Sequence, residues 1–200
     1  MAKNARSPAL ENRTVTVRKP NSGYRTREHL RDDEMAKLLE AARGNRYGHR
    51  DYTMLLMTWR HGLRASELCD LEWSTIDFKG SIHIRRIKLG KPTTHPLLGD
   101  EIRALRRLQR EQDPKSAWVF TTENGGPFTP DGFNKLVKRL GKSVVPFPIH
   151  AHMLRHSTGY HLADRDRSTR LIQDYLGHRS IQSTVRYTEL APTRFKNIWE

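Results

Sequence analysis

His152-Met153-Leu154-Arg155-His156 is the most informative stretch of the sequence. It lies in a segment, roughly 150–164, that reads as a helix. Residues three and four apart share a helix face, so His152, Arg155 and His156 point the same way. One basic side chain on a face is ordinary, and a solvated basic face is the plain alternative. Three together favour an anion at that spot.

Two more segments build outward from this helix. Gly62-Leu63-Arg64-Ala65-Ser66-Glu67-Leu68 lies between a helical stretch, roughly 47–61, and a short helix carrying Ser66, Leu68 and Leu71. Gly62 suits a helix C-cap. Arg64 sits at the junction, where a guanidinium and helix N-terminal amides can face a phosphate. Local pairing of Arg64 with Glu67 is the alternative. The other segment is Leu176-Gly177-His178, followed nine residues later by Tyr187. Gly177 suits a sharp helix stop, which sets His178 at the mouth of the next helix and Tyr187 near its far end. Taken alone, Tyr187 reads as a packed aromatic. Tyr175 shares a face with Leu171 and Ile172 and reads as core. Tyr160 lies off the Arg155 face, and Tyr47 and Tyr52 belong to the second helix.

The remaining pattern is mainly helical. Residues 1–31 carry eight Lys and Arg against two acids, with Pro8, Pro20 and Gly23, and read as a basic flexible arm. The folded domain is expected from 32, with Asp32 or Asp33 as the cap of a helix bearing Met35, Leu38, Leu39 and Ala42. Residues 81–88 and 93–97 read as a β-hairpin around Leu89-Gly90-Lys91-Pro92. Trp118-Val119-Phe120 is expected to add a third strand. Helices are expected at 100–112, 130–140, 150–164, 168–176 and 181–188. The tail, 191–200, carries Phe195, Ile198 and Trp199 at helical spacing. It reads as packing on its own chain or docking on a neighbour.

Composition narrows the partners. The 200 residues hold 36 Lys and Arg against 22 Asp and Glu, a net charge of +14. Such an excess attracts polyanions, nucleic acid first. No apolar run approaches the roughly 18 residues that a membrane span needs. Cys69 is the single cysteine, so no internal disulfide forms, and a reducing, cytoplasmic setting fits. His150, His152, His156 and His161 invite a zinc reading, but Arg155 among them repels a cation. There is no Gly-x-x-x-x-Gly-Lys phosphate loop and no evident carboxylate trio for two-metal chemistry.

Arg64 after Gly62-Leu63, a hairpin lysine, His152-x-x-Arg155, Leu176-Gly177-His178 and Tyr187, in that order, together resemble the tyrosine recombinase or phage integrase family. The likeness covers about residues 30–190. Further stretches look most like the fimbrial phase-variation recombinases: His61 to Glu67, Thr93 to Leu98, His152 to Ser157 and Leu171 to Arg179. The resemblance implies an α+β, mainly helical catalytic domain over 32–190, with a small three-stranded antiparallel sheet. It implies a site-specific DNA recombinase, acting by inversion, integration or excision through a 3′-phosphotyrosyl intermediate. A DNA-binding regulator without catalysis and a type IB topoisomerase-like enzyme are the alternatives.

The resemblance also assigns roles. Tyr187 is the nucleophile, and Arg64 and Arg155 clamp the phosphate oxygens. His152 is the candidate base. Lys88 is the candidate proton donor to the leaving oxygen, with Lys91 in reserve. His178 bonds the phosphate and supports the nucleophile. No metal, ATP or other cofactor is needed. The partners implied are double-stranded DNA at specific sites, a homotetramer on two duplexes, and accessory DNA-bending proteins. Many members carry an extra N-terminal helical domain. Here about 31 residues precede the catalytic region, so the basic arm or partner protomers would compensate.

Overall fold

The computed structural model describes residues 27–86 and 90–189. Helices α1 (Asp32–Arg43), α2 (Gly48–His61) and the short α3 (Ala65–Cys69) come first. A 3-10 turn, Trp73–Thr75, leads into strands β1 (Ile76–Asp77), β2 (Ser81–Ile84) and β3 (Thr93–Pro96). Helices α4 (Gly99–Glu111), α5 (Pro130–Gly141), α6 (Ala151–Ala163), α7 (Thr169–Leu176) and α8 (Gln182–Glu189) follow. The architecture is the expected mainly helical α+β domain with one three-stranded antiparallel sheet.

The third strand is not the one expected. β2 and β3 form the hairpin, with Ile82 opposite His95 and Ile84 opposite Thr93. β1 supplies the third strand, with Ile76 opposite Ile82. Trp118 makes only an isolated bridge to Glu72, and the Val119 N–H donates to the Leu71 carbonyl at 2.8 Å. Val119 and Phe120 are fully buried. Their apolar character imitates a sheet strand, but Val119 pairs with the loop after α3 and the Phe120 carbonyl accepts the Phe128 N–H at 2.9 Å.

The start of α1 also differs. Its N-cap is Arg31, and Asp32, Asp33 and Glu34 fill the first turn, where carboxylates meet the positive end of the helix dipole. Glu34 Oε2 accepts the Arg31 N–H at 2.9 Å. Leu30, read from sequence as the end of the arm, is buried in the core, and its N–H donates to Ser157 Oγ on α6 at 2.8 Å. Leu171, expected in the core, is 52% exposed.

Helix α2 is the axis of the domain. It packs against α1, α4 and α6. Met54, Leu55, Leu56 and Met57 are all buried, so every face of its middle turns meets protein. It stops at Gly62, whose φ of 58° lies in the left-handed region. A Cβ there would stand 2.3 Å from Leu176 Cδ2 on α7. The sharp stop therefore serves the close approach of α7 as well as the turn toward α3. Gly62→Ala should cost about 1–3 kcal/mol in urea unfolding, from the strained backbone and the displaced α7. Gly44→Ala is the control, because Gly44 is right-handed and its nearest neighbour to a new Cβ is 3.6 Å away.

Candidate active site

Arg155 is the centre of the site. Its place on α6 points it at the ends of two other helices. Nη1 donates to the Gly62 carbonyl at 2.5 Å, and Nη2 donates to the Leu176 carbonyl at 2.7 Å. Helix C-termini carry carbonyls with no intrahelical partner and a partial negative charge. Here they neutralise a side chain that is 1% exposed. Burial, and then the nearby Arg64 and Arg86 charges, push the Arg155 guanidinium down to about 9, so it stays charged at neutral pH.

A buried carboxylate organises the other arginines. Glu67 Oε1 accepts Arg64 Nη1 at 2.5 Å, and Oε2 accepts the Arg64 backbone N–H at 3.0 Å. The local Arg64–Glu67 pair weighed from sequence is therefore real, and it also orients Arg64 beside α6. Glu67 Oε2 further accepts Arg86 Nη1 at 2.9 Å and stands 3.7 Å from Arg155 Nη1. One carboxylate thus serves three guanidinium groups, and the excess positive charge suits an anion. Burial alone would raise the Glu67 carboxyl. The Arg64 N–H and the Arg86 and Arg155 charges outweigh it and hold the group below the ordinary value.

The Tyr187 ring packs on α6 at Gly159, one turn beyond Arg155. Tyr187 is 1% exposed. Its ring fits only because residue 159 has no side chain: a Cβ on Gly159 would meet the ring at 2.6 Å. Tyr160 packs edge-on against it, with centroids 5.1 Å apart. The Tyr187 hydroxyl is 2.8 Å from His156 Nδ1, one residue beyond Arg155. Burial pushes the Tyr187 phenol up to about 12.

The imidazoles around it are held neutral. Burial, and then the His152, Arg186 and Arg155 charges, push His156 down to about 3. A neutral ring can accept the Tyr187 proton at Nδ1. His152 opens to solvent one turn earlier, its ring edge-on to His156 at 4.5 Å between centroids. Partial enclosure, and then the Arg155 and His150 charges, push it down to about 4. His178 follows the left-handed Gly177 that ends α7. Its Nδ1 is 2.8 Å from Thr184 Oγ1, and its ring stacks toward Tyr187 at 6.3 Å between centroids. Burial, and then Arg155, push His178 down to about 3.

Of the residues expected at the site, Arg64, Arg155, His152, His178 and Tyr187 fall around the junction of α2, α3, α6, α7 and α8. The contact to the tyrosine hydroxyl comes from His156, not from His152. Lys88 lies outside the described residues, and Lys91 is exposed. Sequence reasoning gave no role to His156 or Arg86. His156 was visible, being four residues from His152 on the shared face. Arg86 carried no signal beyond its charge. Among the described residues no group of three or more His, Cys, Asp or Glu side chains could hold a metal ion.

Three guanidinium groups and a buried phenol thus meet on the fold of a tyrosine recombinase catalytic domain. The crystal structure of XerA recombinase superposes with a TM-score of 0.73 at 26% identity, covering 86% of this chain and 63% of that one. The phage integrase family model matches residues 28–194, and the chain belongs to that family. It is 42% identical over 188 residues to the type 1 fimbriae regulatory protein FimB of Escherichia coli (strain K12), covering 91% of this chain and 94% of that protein. It is 31% identical to tyrosine recombinase XerC of Xanthomonas campestris pv. campestris (strain B100), covering 93% of this chain and 57% of that protein. By fold and sequence the chain is a tyrosine recombinase.

The ionised Glu67 stabilises the fold above the ordinary carboxylate value of 4.5, and that contribution is lost as the pH falls through its lower folded value. Glu67→Gln should be less stable at neutral pH. Its stability should also fall less steeply than the parent's as the pH is lowered below 4.5, when urea midpoints are compared.

Proposed function

We propose that this chain cuts and rejoins double-stranded DNA at specific sites, through a bond from the Tyr187 oxygen to the scissile phosphorus. The phenol oxygen attacks phosphorus, the bond to the 5′-oxygen breaks, and a 3′-phosphotyrosyl link with a free 5′-hydroxyl results. The reverse attack by a 5′-hydroxyl restores the backbone. The covalent link conserves the bond energy, so no ATP is consumed.

Each expected residue has a task in this reading. Arg64 and Arg155 take the non-bridging oxygens, where negative charge grows in the transition state. The phenolic proton leaves toward the α6 histidines, with His156 in contact and His152 as the base one turn away. His178 bonds the phosphate and flanks the tyrosine ring. Lys88 protonates the leaving 5′-oxygen, with Lys91 as the substitute. The observation that carries the reading is that the Tyr187 hydroxyl bonds to a residue adjacent to the buried Arg155, in a cluster with three arginines to one carboxylate.

DNA as the partner is supported by the net charge of +14 and by structural neighbours such as XerH site-specific recombinase bound to its difH substrate. Recombination of two duplexes needs four active sites, so the working form is a homotetramer, assisted by DNA-bending proteins. The basic segment that precedes the folded domain tracks phosphates beyond the active site, and the tail of 191–200 docks on a neighbouring protomer.

A nicked suicide substrate tests the chemistry. Incubated without metal or ATP, the parent should yield a slow-migrating covalent adduct. Tyr187→Phe should yield none while binding the same DNA with similar affinity. An equal adduct from the mutant would refute the assignment.

A further inference from the structure

Arg86 lies two residues beyond the end of β2, and the proposed chemistry gives it no contact with DNA. Its side chain is nevertheless completely buried against the site. Nη2 donates to the Tyr175 carbonyl at 2.7 Å and to the His61 carbonyl at 3.2 Å. Nη1 donates to Glu67 Oε2 at 2.9 Å and to the Gly62 carbonyl at 3.4 Å. The chain of Arg86 lies along Gly177, where a Cβ would stand 2.8 Å from its Cγ. One guanidinium therefore joins the ends of α2 and α7 to the carboxylate of α3.

Two of these acceptors are shared with Arg155. Both arginines donate to the Gly62 carbonyl, and Glu67 Oε2 lies between Arg86 at 2.9 Å and Arg155 at 3.7 Å. A carboxylate and a phosphate compete for the same guanidinium donors. With Arg86 present, Oε2 has a guanidinium partner besides the Arg64 backbone N–H that it accepts. Without Arg86, more of the charge on that oxygen falls on Arg155, and through Oε1 on Arg64.

We propose that Arg86 is a positioning residue that engages Glu67, leaving Arg64 and Arg155 to the phosphate. The role rests on the phosphoryl-transfer reading above. It differs from that of a scaffold residue in the sign of its coupling to Glu67. If Arg86 only holds the fold together, removing Glu67 as well adds damage. If Arg86 keeps Glu67 from competing, removing Glu67 repairs damage.

The test is a double-mutant cycle on adduct formation with the nicked substrate, with thermal unfolding recorded for each variant. Arg86→Gln should slow adduct formation by about 10- to 100-fold, the size expected when a charged donor to the transition state is disabled. Adding Glu67→Gln to it should recover at least about tenfold, whereas Glu67→Gln alone should not accelerate the parent. Arg86→Lys keeps a charge beside Glu67 but loses the fork that reaches the His61 and Tyr175 carbonyls, so it should be slowed less than Arg86→Gln. A double variant slower than Arg86→Gln would overturn the proposal. So would an Arg86→Lys variant as slow as Arg86→Gln. If Arg86→Gln does not fold, Arg86→Lys with and without Glu67→Gln decides: recovery of rate on adding Glu67→Gln supports the role, and a further loss rejects it. Absence of any adduct from the parent would strike the phosphoryl-transfer reading instead, so the two failures are distinct.

Discussion

Two helices end with their carbonyls aimed at one buried point, and the site depends on that arrangement. Helix α2 stops at Gly62 and α7 stops at Gly177, both left-handed. Their terminal carbonyls would be costly to bury unpartnered. Arg155 and Arg86 supply the donors, and the carbonyls of His61, Gly62, Tyr175 and Leu176 supply the acceptors. Each side solves the other's problem: orphan carbonyls find charge-assisted bonds, and guanidinium groups are held out of water without losing their charge. The positive charge is therefore fixed before any ligand arrives, and no reorganisation is needed when negative charge develops beside it.

The surplus of cation sets the state of everything nearby. His152, His156 and His178 all lie in the field of Arg155 and are all held well below the usual imidazole range. A phosphate entering the cluster would offset part of that field and restore some basicity to the rings. Tyr187, by contrast, is raised by burial, so the resting phenol keeps its proton and shares it with His156. A protonated phenol and a neutral imidazole are thus paired in the resting site.

The small sheet is subordinate to this helical frame. β2 carries Arg86 away from the sheet and into the gap between α2 and α7, and β3 returns His95 to stack on Tyr175 at 3.9 Å between centroids. The hairpin is therefore tied through Arg86 to the same helix ends that hold Arg155. Val119 and Phe120 fill the core beside it instead of extending it, which is why an apolar run that looks like a strand makes only an isolated bridge.

By itself the sequence determined the helices, the hairpin and the order of the chemically distinctive residues. Helical periodicity, the glycine stops at 62 and 177 and the alternation in 81–84 are local properties, written in neighbouring side chains. The set Arg64, His152, Arg155, His178 and Tyr187 could be named because the sequence carries their spacing and order as motifs. Only the tertiary structure decided which histidine meets the tyrosine hydroxyl, which strand completes the sheet, and that Arg86 belongs with the site. His152 and His156 share a helix face, and the choice between them is made by α8 packing over Gly159, a contact between segments about 30 residues apart. Arg86 in the sequence is one basic residue among 36, and its role exists only where three helix ends converge. Burial and charge pairing between distant segments are properties of the packed chain, and no local pattern encodes them.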